Sequence, residues 1–170
     1  MVCLVALCFC KSVKANAQAM ISSGYYHTAM IKNDGSLWMC GQNQSGQLGD
    51  GTRTIKSKPV KIMTDVKKVY CGHKNTAIIK KDNSLWVCGL NNYGQIEDGT
   101  TTNRYTPVKV MTGVKDASIG GYFTGALKND GTVWTWGSNT DTKPIKVASD
   151  VASLSIGYSH SAIVKKDGSL

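Results

Sequence analysis

The chain has 170 residues, 41% of them hydrophobic and 18% charged, with 18 glycines and only 3 prolines. That is a globular composition for one or two domains, and the glycine share favours a turn-rich, all-β fold over helices. A formal charge of +9, with Glu97 the single glutamate, admits an anionic partner such as nucleic acid, a membrane surface or an acidic wall polymer and names none.

The first element is a leader. Val2 to Cys10 is an unbroken apolar run, too short for the ~20 residues that span a bilayer but suited to the core of a secretory signal peptide. Ala15-Asn16-Ala17 supplies a small-x-small cleavage site, although no Lys or Arg precedes the run. Residues 1–19 are therefore expected to be a signal peptide, and residues 20–170 a secreted or cell-envelope domain. The alternative is a stray leader from a misplaced start codon, which leaves the protein cytoplasmic. Cys3, Cys8 and Cys10 fall in the leader, so Cys40, Cys71 and Cys88 remain. No Cys-x-x-Cys motif occurs, which removes support for a zinc or redox site. Two readings stay open for the three cysteines: buried free thiols, or a disulfide between two of them.

From residue 24 onward the chain repeats itself. Gly24 to Gly41 opens a first unit, Gly72 to Gly89 a second, Gly120 to Gly137 a third, and a fourth begins at Gly157. Gly24, Gly72 and Gly120 stand 48 residues apart, as do Trp38, Trp86 and Trp134. The third unit is shorter. Units one and two carry a Gly-Gln module, Ser45 to Thr52 and Tyr93 to Thr100, which unit three skips on its way from Asn139 to Pro144. Each unit reads as four short strands. Thr28 to Lys32 and Leu37 to Cys40 flank Asn33-Asp34-Gly35-Ser36, a tight-turn signal because glycine takes positive φ without steric cost. Pro59 to Met63 gives a third strand with proline at its start, where no ladder bond is lost, and Val66 to Cys71 a fourth. Four antiparallel strands per ~40–50 residues is the arithmetic of a propeller blade. The expected fold is all-β: a partial β-propeller of four-stranded antiparallel blades, three repeats plus the start of a fourth.

These residues resemble the regulator of chromosome condensation repeat family. Gly24, His27, Thr28, Ala29, Asp34, Gly35, Trp38, Gly41 and Asn43 match its first pattern, and Gly46, Gln47, Leu48, Gly49 and Gly51 its Gly-Gln-Leu-Gly module. Trp134, Trp136, Gly137 and Asn139 match in unit three, and Gly157, His160, Ser161 and Ala162 in unit four. The resemblance covers residues 21–170 and implies the propeller fold. It spreads over several functions: an exchange factor for the small GTPase Ran, parts of ubiquitin ligases, membrane-traffic factors, and secreted bacterial forms, one kind of which inhibits β-lactamases. The exchange activity depends on loops outside the repeat pattern, and no such loop is matched here. Asn75 and Phe123 replace the pattern's histidine, and Trp-x-Cys-Gly replaces Trp-x-Trp-Gly in units one and two. The resemblance implies a ring of about seven blades, so a chain that stops at Leu170, one residue short of the next tryptophan, is expected to be a piece of a longer protein, with unclosed blade edges open to self-association.

No catalytic set can be assembled from what the repeat leaves over. Asp34, Asp82, Asp130 and Asp167 share one turn position, where aspartate bonds its local backbone. His27 and His160 are repeat equivalents with a packing or hydrogen-bonding role. Asp50-Gly51-Thr52 and Asp98-Gly99-Thr100 lack the alternating acids and terminal glutamate of a calcium loop. No metal, cofactor or catalytic residue is expected. The recurring Lys32, Lys80, Lys128 and Lys165, with Lys61, Lys109 and Lys146, read first as a solvated stripe on every blade and second as a polyanion site. Units differ most in the loop before the third strand, and loops on a rigid scaffold hold binding residues. Tyr93, Arg104 and Tyr105 are the expected contact patch, since Tyr and Arg are favoured anchors. The expected function is a non-catalytic module that binds another protein or an anionic cell-surface polymer, with no specific nucleic acid. The alternatives are a guanine-nucleotide exchange factor for a small GTPase, or the non-catalytic part of a larger enzyme.

Overall fold

Short runs rich in Val, Ile, Leu and Trp, punctuated by Gly, Asn and Asp, form strands because branched and aromatic side chains pack well on a pleated surface. The computed structural model describes residues 19–137 and 141–170; the apolar leader, its cleavage site and Asn139 lie outside them. Strands β1 (Met20–Ser23), β2 (His27–Ile31), β3 (Leu37–Gly41) and β4 (Lys56–Met63) make one antiparallel sheet in that order. Strands β5 (Val66–Cys71), β6 (Asn75–Lys80), β7 (Leu85–Gly89) and β8 (Arg104–Met111) make the second. Strands β9 (Val114–Ile119), β10 (Phe123–Lys128), β11 (Val133–Gly137) and β12 (Asp141–Ala148) make the third, and β13 (Val151–Ile156) pairs with β14 (Ser161–Lys165). The architecture is a partial β-propeller: three four-stranded antiparallel blades and two strands of a fourth.

Two details differ from the sequence reading. Val66–Cys71 does not close the first unit but opens the second blade, pairing Val69 with Ile78 and Cys71 with Thr76. The chain leaves β4 on the outer edge and returns to the axis through Thr64 and Asp65, the latter in the left-handed region at φ 61. The third strand also begins earlier, at Lys56, so Pro59 lies inside β4 and not at its start. There the ladder is already irregular, with a register shift between Met39 and Gly41. On an outer edge strand at a bulge, the missing proline N–H costs no pairing.

The inner strands β1, β5, β9 and β13 lie side by side around the axis. They are tied across blades by polar side chains. Ser22 Oγ accepts the Cys71 N–H at 3.0 Å, and Ser118 Oγ accepts the Ile156 N–H at 2.9 Å. Between them the Tyr70 hydroxyl donates to Asp116, which also meets Lys68 Nζ at 3.2 Å. Burial and that carboxylate push the Tyr70 phenol well above its ordinary pKa. At the other end of the blades, the turn of each blade accepts the first N–H of the next. Val66 donates to Gly35 O at 3.0 Å, Val114 to Asn83 O at 2.9 Å and Val151 to Gly131 O at 3.0 Å.

The cores lie between blades. Ala29, Leu37, Leu48, Val69 and Ile78 fill the space between the first and second. Leu85, Ile96, Val114, Ala117 and Trp136 fill the next, and Leu127, Val133 and Val151 the third. A side chain such as Leu48 or Ile96, fully buried, contributes roughly 1.5–3 kcal/mol.

The repeated Asp, Ser and Trp form one relay. Asp34 Oδ1 accepts the Ser36 N–H at 2.8 Å and its hydroxyl at 2.6 Å, and Trp38 Nε1 donates to Ser36 Oγ at 2.8 Å. Asp82–Ser84–Trp86 and Asp130–Thr132–Trp134 repeat it. Both lysine series belong to the same place. Lys32, Lys80 and Lys128 lie over the rings of Trp38, Trp86 and Trp134, while Lys61, Lys109 and Lys146 are the cross-strand partners of those tryptophans. Lys32, Lys80 and Lys128 are thus ring partners of the blade's tryptophans. Cys71 and Cys88 are free thiols, and among the described residues no disulfide joins two of Cys40, Cys71 and Cys88. Burial raises the Cys71 thiol to about 12 and the Cys88 thiol further.

Candidate functional site: an aromatic row around the axis

Antiparallel order sends the β1–β2 type of turn and the long β3–β4 type of loop to the same end of the blades. The long loops fold on a buried amide. Asn43 Oδ1 accepts the Leu48 N–H at 3.0 Å while its Nδ2 donates to Asp50 at 2.8 Å and to Thr52 O at 3.0 Å. Asn91 does the same for Ile96 and Thr100 O. So anchored, the Gly-Gln module reaches into the next blade: Thr76 Oγ1 donates to Gln47 O at 2.7 Å and Thr124 Oγ1 to Gln95 O at 2.9 Å. The repeat histidine serves this junction. His27 is buried, with Nε2 2.9 Å from Thr76 Oγ1. The Thr76 hydroxyl spends its proton on Gln47 O, so His27 donates from Nε2 and is neutral. Burial lowers its pKa from 6.5 to about 4.

The turns that follow the inner strands carry the exposed feature. Gly24-Tyr25-Tyr26, Gly72-His73-Lys74, Gly120-Gly121-Tyr122 and Gly157-Tyr158-Ser159 converge at the axis. Glycine is required because the turns touch: a Cβ on Gly24 would stand 2.3 Å from Gly72 O, which already accepts the Tyr25 N–H. The side chains beyond the glycines form a continuous row. Tyr26 meets Tyr25 at 4.4 Å between centroids, Tyr25 meets His73 at 4.9 Å and His73 meets Tyr158 at 5.4 Å. Tyr158 meets Tyr122 at 5.0 Å, and Tyr122 meets Tyr93 at 4.8 Å. Tyr25 is 66% exposed, Tyr158 52% and Tyr26 42%. Beside the row is an open depression of about 330 Å³, lined by Ser23, Cys71, Ile119, Ile156 and the turn residues. Partial burial and the neighbouring Lys74 lower the His73 pKa, which favours a neutral ring within the row.

The sequence matches the regulator of chromosome condensation (RCC1) repeat at residues 34–79 and 82–127, more than half the chain. The chain belongs to the RCC1-repeat family. A second description of the RCC1 repeat matches residues 66–95 and 114–142. No curated protein matches the sequence. Among solved structures, human WBSCR16 superposes with a TM-score of 0.78 at 22% identity, covering 91% of this chain and 47% of that one. Yeast RCC1 (Prp20) bound to Kap60 gives 0.75 at 19% identity, covering 92% and 44%. Prp20p from Saccharomyces cerevisiae, described with its binding properties to Gsp1p and histones, gives 0.73 at 20% identity, covering 92% and 45%. At these identities the likeness is one of fold, and the chain spans under half the length of those structures.

On this RCC1-repeat scaffold the three residues expected as a contact patch part company. Tyr93 stands in the aromatic row through Tyr122. Arg104 is half-exposed, paired with Asp98 and donating to Thr100 Oγ1 at 3.3 Å. Tyr105 packs on the preceding blade's module, where a Cβ on Gly46 would stand 2.6 Å from its ring, and Arg53 lies 5.7 Å above it. Sequence reasoning missed Tyr25, Tyr26, His73, Tyr122 and Tyr158. The signal was present: four of the chain's seven tyrosines occupy the two positions after a repeat-opening Gly, or after Gly-Gly in unit three. His73, which has no histidine at the equivalent place in the other units, holds the middle of the row. Among the described residues no three His, Cys, Asp or Glu side chains group as a metal site.

Proposed function

We propose that this chain is a non-catalytic interaction module that docks a protein partner on the end of the blades carrying the aromatic row. The observation behind the reading is the unbroken contact of six rings from Tyr26 to Tyr93, three of them largely exposed. Tyrosine supplies wide, rigid contact area with few torsions to freeze and a hydroxyl to hydrogen-bond, which is why it is favoured in protein interfaces. Successive rings stand 56–84° apart. The result is a corrugated ridge, better suited to interdigitating side chains than to flat stacking of a sugar. Proteins of the same fold are described with protein partners, yeast RCC1 (Prp20) bound to Kap60 and Prp20p with its binding properties to Gsp1p and histones.

The test is selection of a phage-displayed library of random 12-residue peptides on the chain, with counter-selection on the Tyr25→Ala/Tyr158→Ala double variant. Both residues are exposed, and the variant is expected to melt within a few degrees of the parent. Enriched peptides that lose at least about tenfold in affinity on the variant, the scale of one good anchor, support the reading. Failure to enrich any sequence, or equal binding to both proteins, overturns it. The leader carries a companion proposal of export. A mature chain beginning near Gln18 in the culture medium is its expected sign, and an intact leader on cytosolic protein would contradict it.

A further inference from the structure

On the docking reading above, we infer that the occupant of the aromatic row is an acidic, extended peptide segment. The acids at this end of the blades are already engaged. Asp50 lies 3.2 Å from Lys56 Nζ and accepts the Asn43 amide and the Thr52 hydroxyl. Asp98 is paired with Arg104 and accepts the Thr100 hydroxyl. Burial alone would raise both pKa values, but these hydrogen bonds outweigh it, and both carboxyls stay below the ordinary range. Among the described side chains the other acid at this end is Glu97, half-buried, and burial next to Asp98 raises its pKa.

The cations are placed otherwise. Lys74 follows His73 directly at the centre of the row, near enough to depress that imidazole's pKa. Arg53 is exposed, fixed by its Nε bond to Gln44 O at 3.2 Å, and holds its guanidinium over Tyr105. With Asp50 and Asp98 paired to Lys56 and Arg104, Lys74 and Arg53 outnumber Glu97 among the described charges left at this end, in a chain of formal charge +9. Complementary charge steers encounter and excludes like-charged competitors. The row itself adds shape. Its five steps of 4.4–5.4 Å pass through the turns of all four blades, a bent line that an extended segment without secondary structure of its own can follow. Exposed Tyr25 and Tyr158 call for apolar side chains on that peptide between its acids.

The experiment takes the peptides enriched in the selection above and reads their charge. Enriched sequences are expected to carry a net negative charge with interspersed apolar residues. Synthetic copies with every Asp and Glu changed to Asn and Gln should bind the parent chain about tenfold more weakly at 50 mM salt, the gap narrowing at 300 mM. Lys74→Glu should weaken the acidic peptides about fivefold or more and leave the neutral copies unchanged. Tyrosine-dependent peptides with no acidic bias, or indifference to Lys74→Glu, would overturn the inference while leaving the docking reading in place. A 12-residue polyglutamate that binds as tightly as the selected peptides would also overturn it, by assigning the surface to plain polyanion attraction.

Discussion

The junction between the first and second blades and the junction between the second and third are built on one plan and completed differently. In both, a module carbonyl is inserted and capped by a threonine hydroxyl, Gln47 O by Thr76 and Gln95 O by Thr124. The first junction adds His27, which reaches across to Thr76. In the second the equivalent residue is Asn75, buried, with neither Oδ1 nor Nδ2 partnered. The second junction adds Trp136 instead, whose Nε1 donates to Gln95 O at 2.9 Å. The equivalent residue in the first is Cys88, whose thiol lies 3.7 Å from Gln47 O. Each junction thus has one strong additional donor, taken from a different strand. At each of these two junctions a departure from the repeat pattern at one of the two positions, the histidine or the second tryptophan, is matched by the retained donor at the other.

The largest test of that symmetry is Trp136→Ala. It removes a buried ring and the donor to Gln95 O together, and is expected to cost roughly 3–5 kcal/mol in urea unfolding. Cys88→Ala should cost about 1 kcal/mol, and equal losses at the two sites would break the comparison. Next is the pH response of the first junction. His27 has a folded pKa of about 4 against 6.5 for an ordinary histidine, so the unfolded chain takes up the proton first. Its contribution is complete above pH ~6.5 and falls away as pH drops towards 4, by roughly 3 kcal/mol. His73, lowered in the same direction, adds a smaller part. In His27→Asn the urea midpoint should be lower at pH 7 and flatter between pH 6.5 and 4; an unchanged slope would remove the histidine from the junction. The smallest effect is a gain. Asn75→His should supply the missing reach to Thr124, flanked by Gly72 as His27 is by Gly24, and raise stability by about 1 kcal/mol. A loss instead would show that the second junction has no room for the imidazole.

Much of the fold was legible because the repeat puts the same physics in the same place each time. The Asp-Gly hairpins and the Trp period named the blades. What stayed hidden was relational. Val66–Cys71 reads as a strand in isolation, and nothing in its residues says whether it pairs backward with β4 or forward with β6. Arg104 looks like an exposed anchor until the fold of its loop brings Asp98 against it. The aromatic row depends on turns from four blades meeting at one axis, so no single unit displays it. Only the placement of tyrosine after the repeat-opening glycines hinted at it, and that hint needed the topology to become a surface.

The sheet boundary falls between Met63 and Val66, so every blade is one unbroken stretch of chain. A nascent polypeptide can therefore finish one sheet on the ribosome before the following one has emerged, with mostly short-range closures to make. The finished hairpin turn, with Gly35 O or Asn83 O waiting for the N–H of Val66 or Val114, then acts as a template on which the next sheet is laid down in order of synthesis.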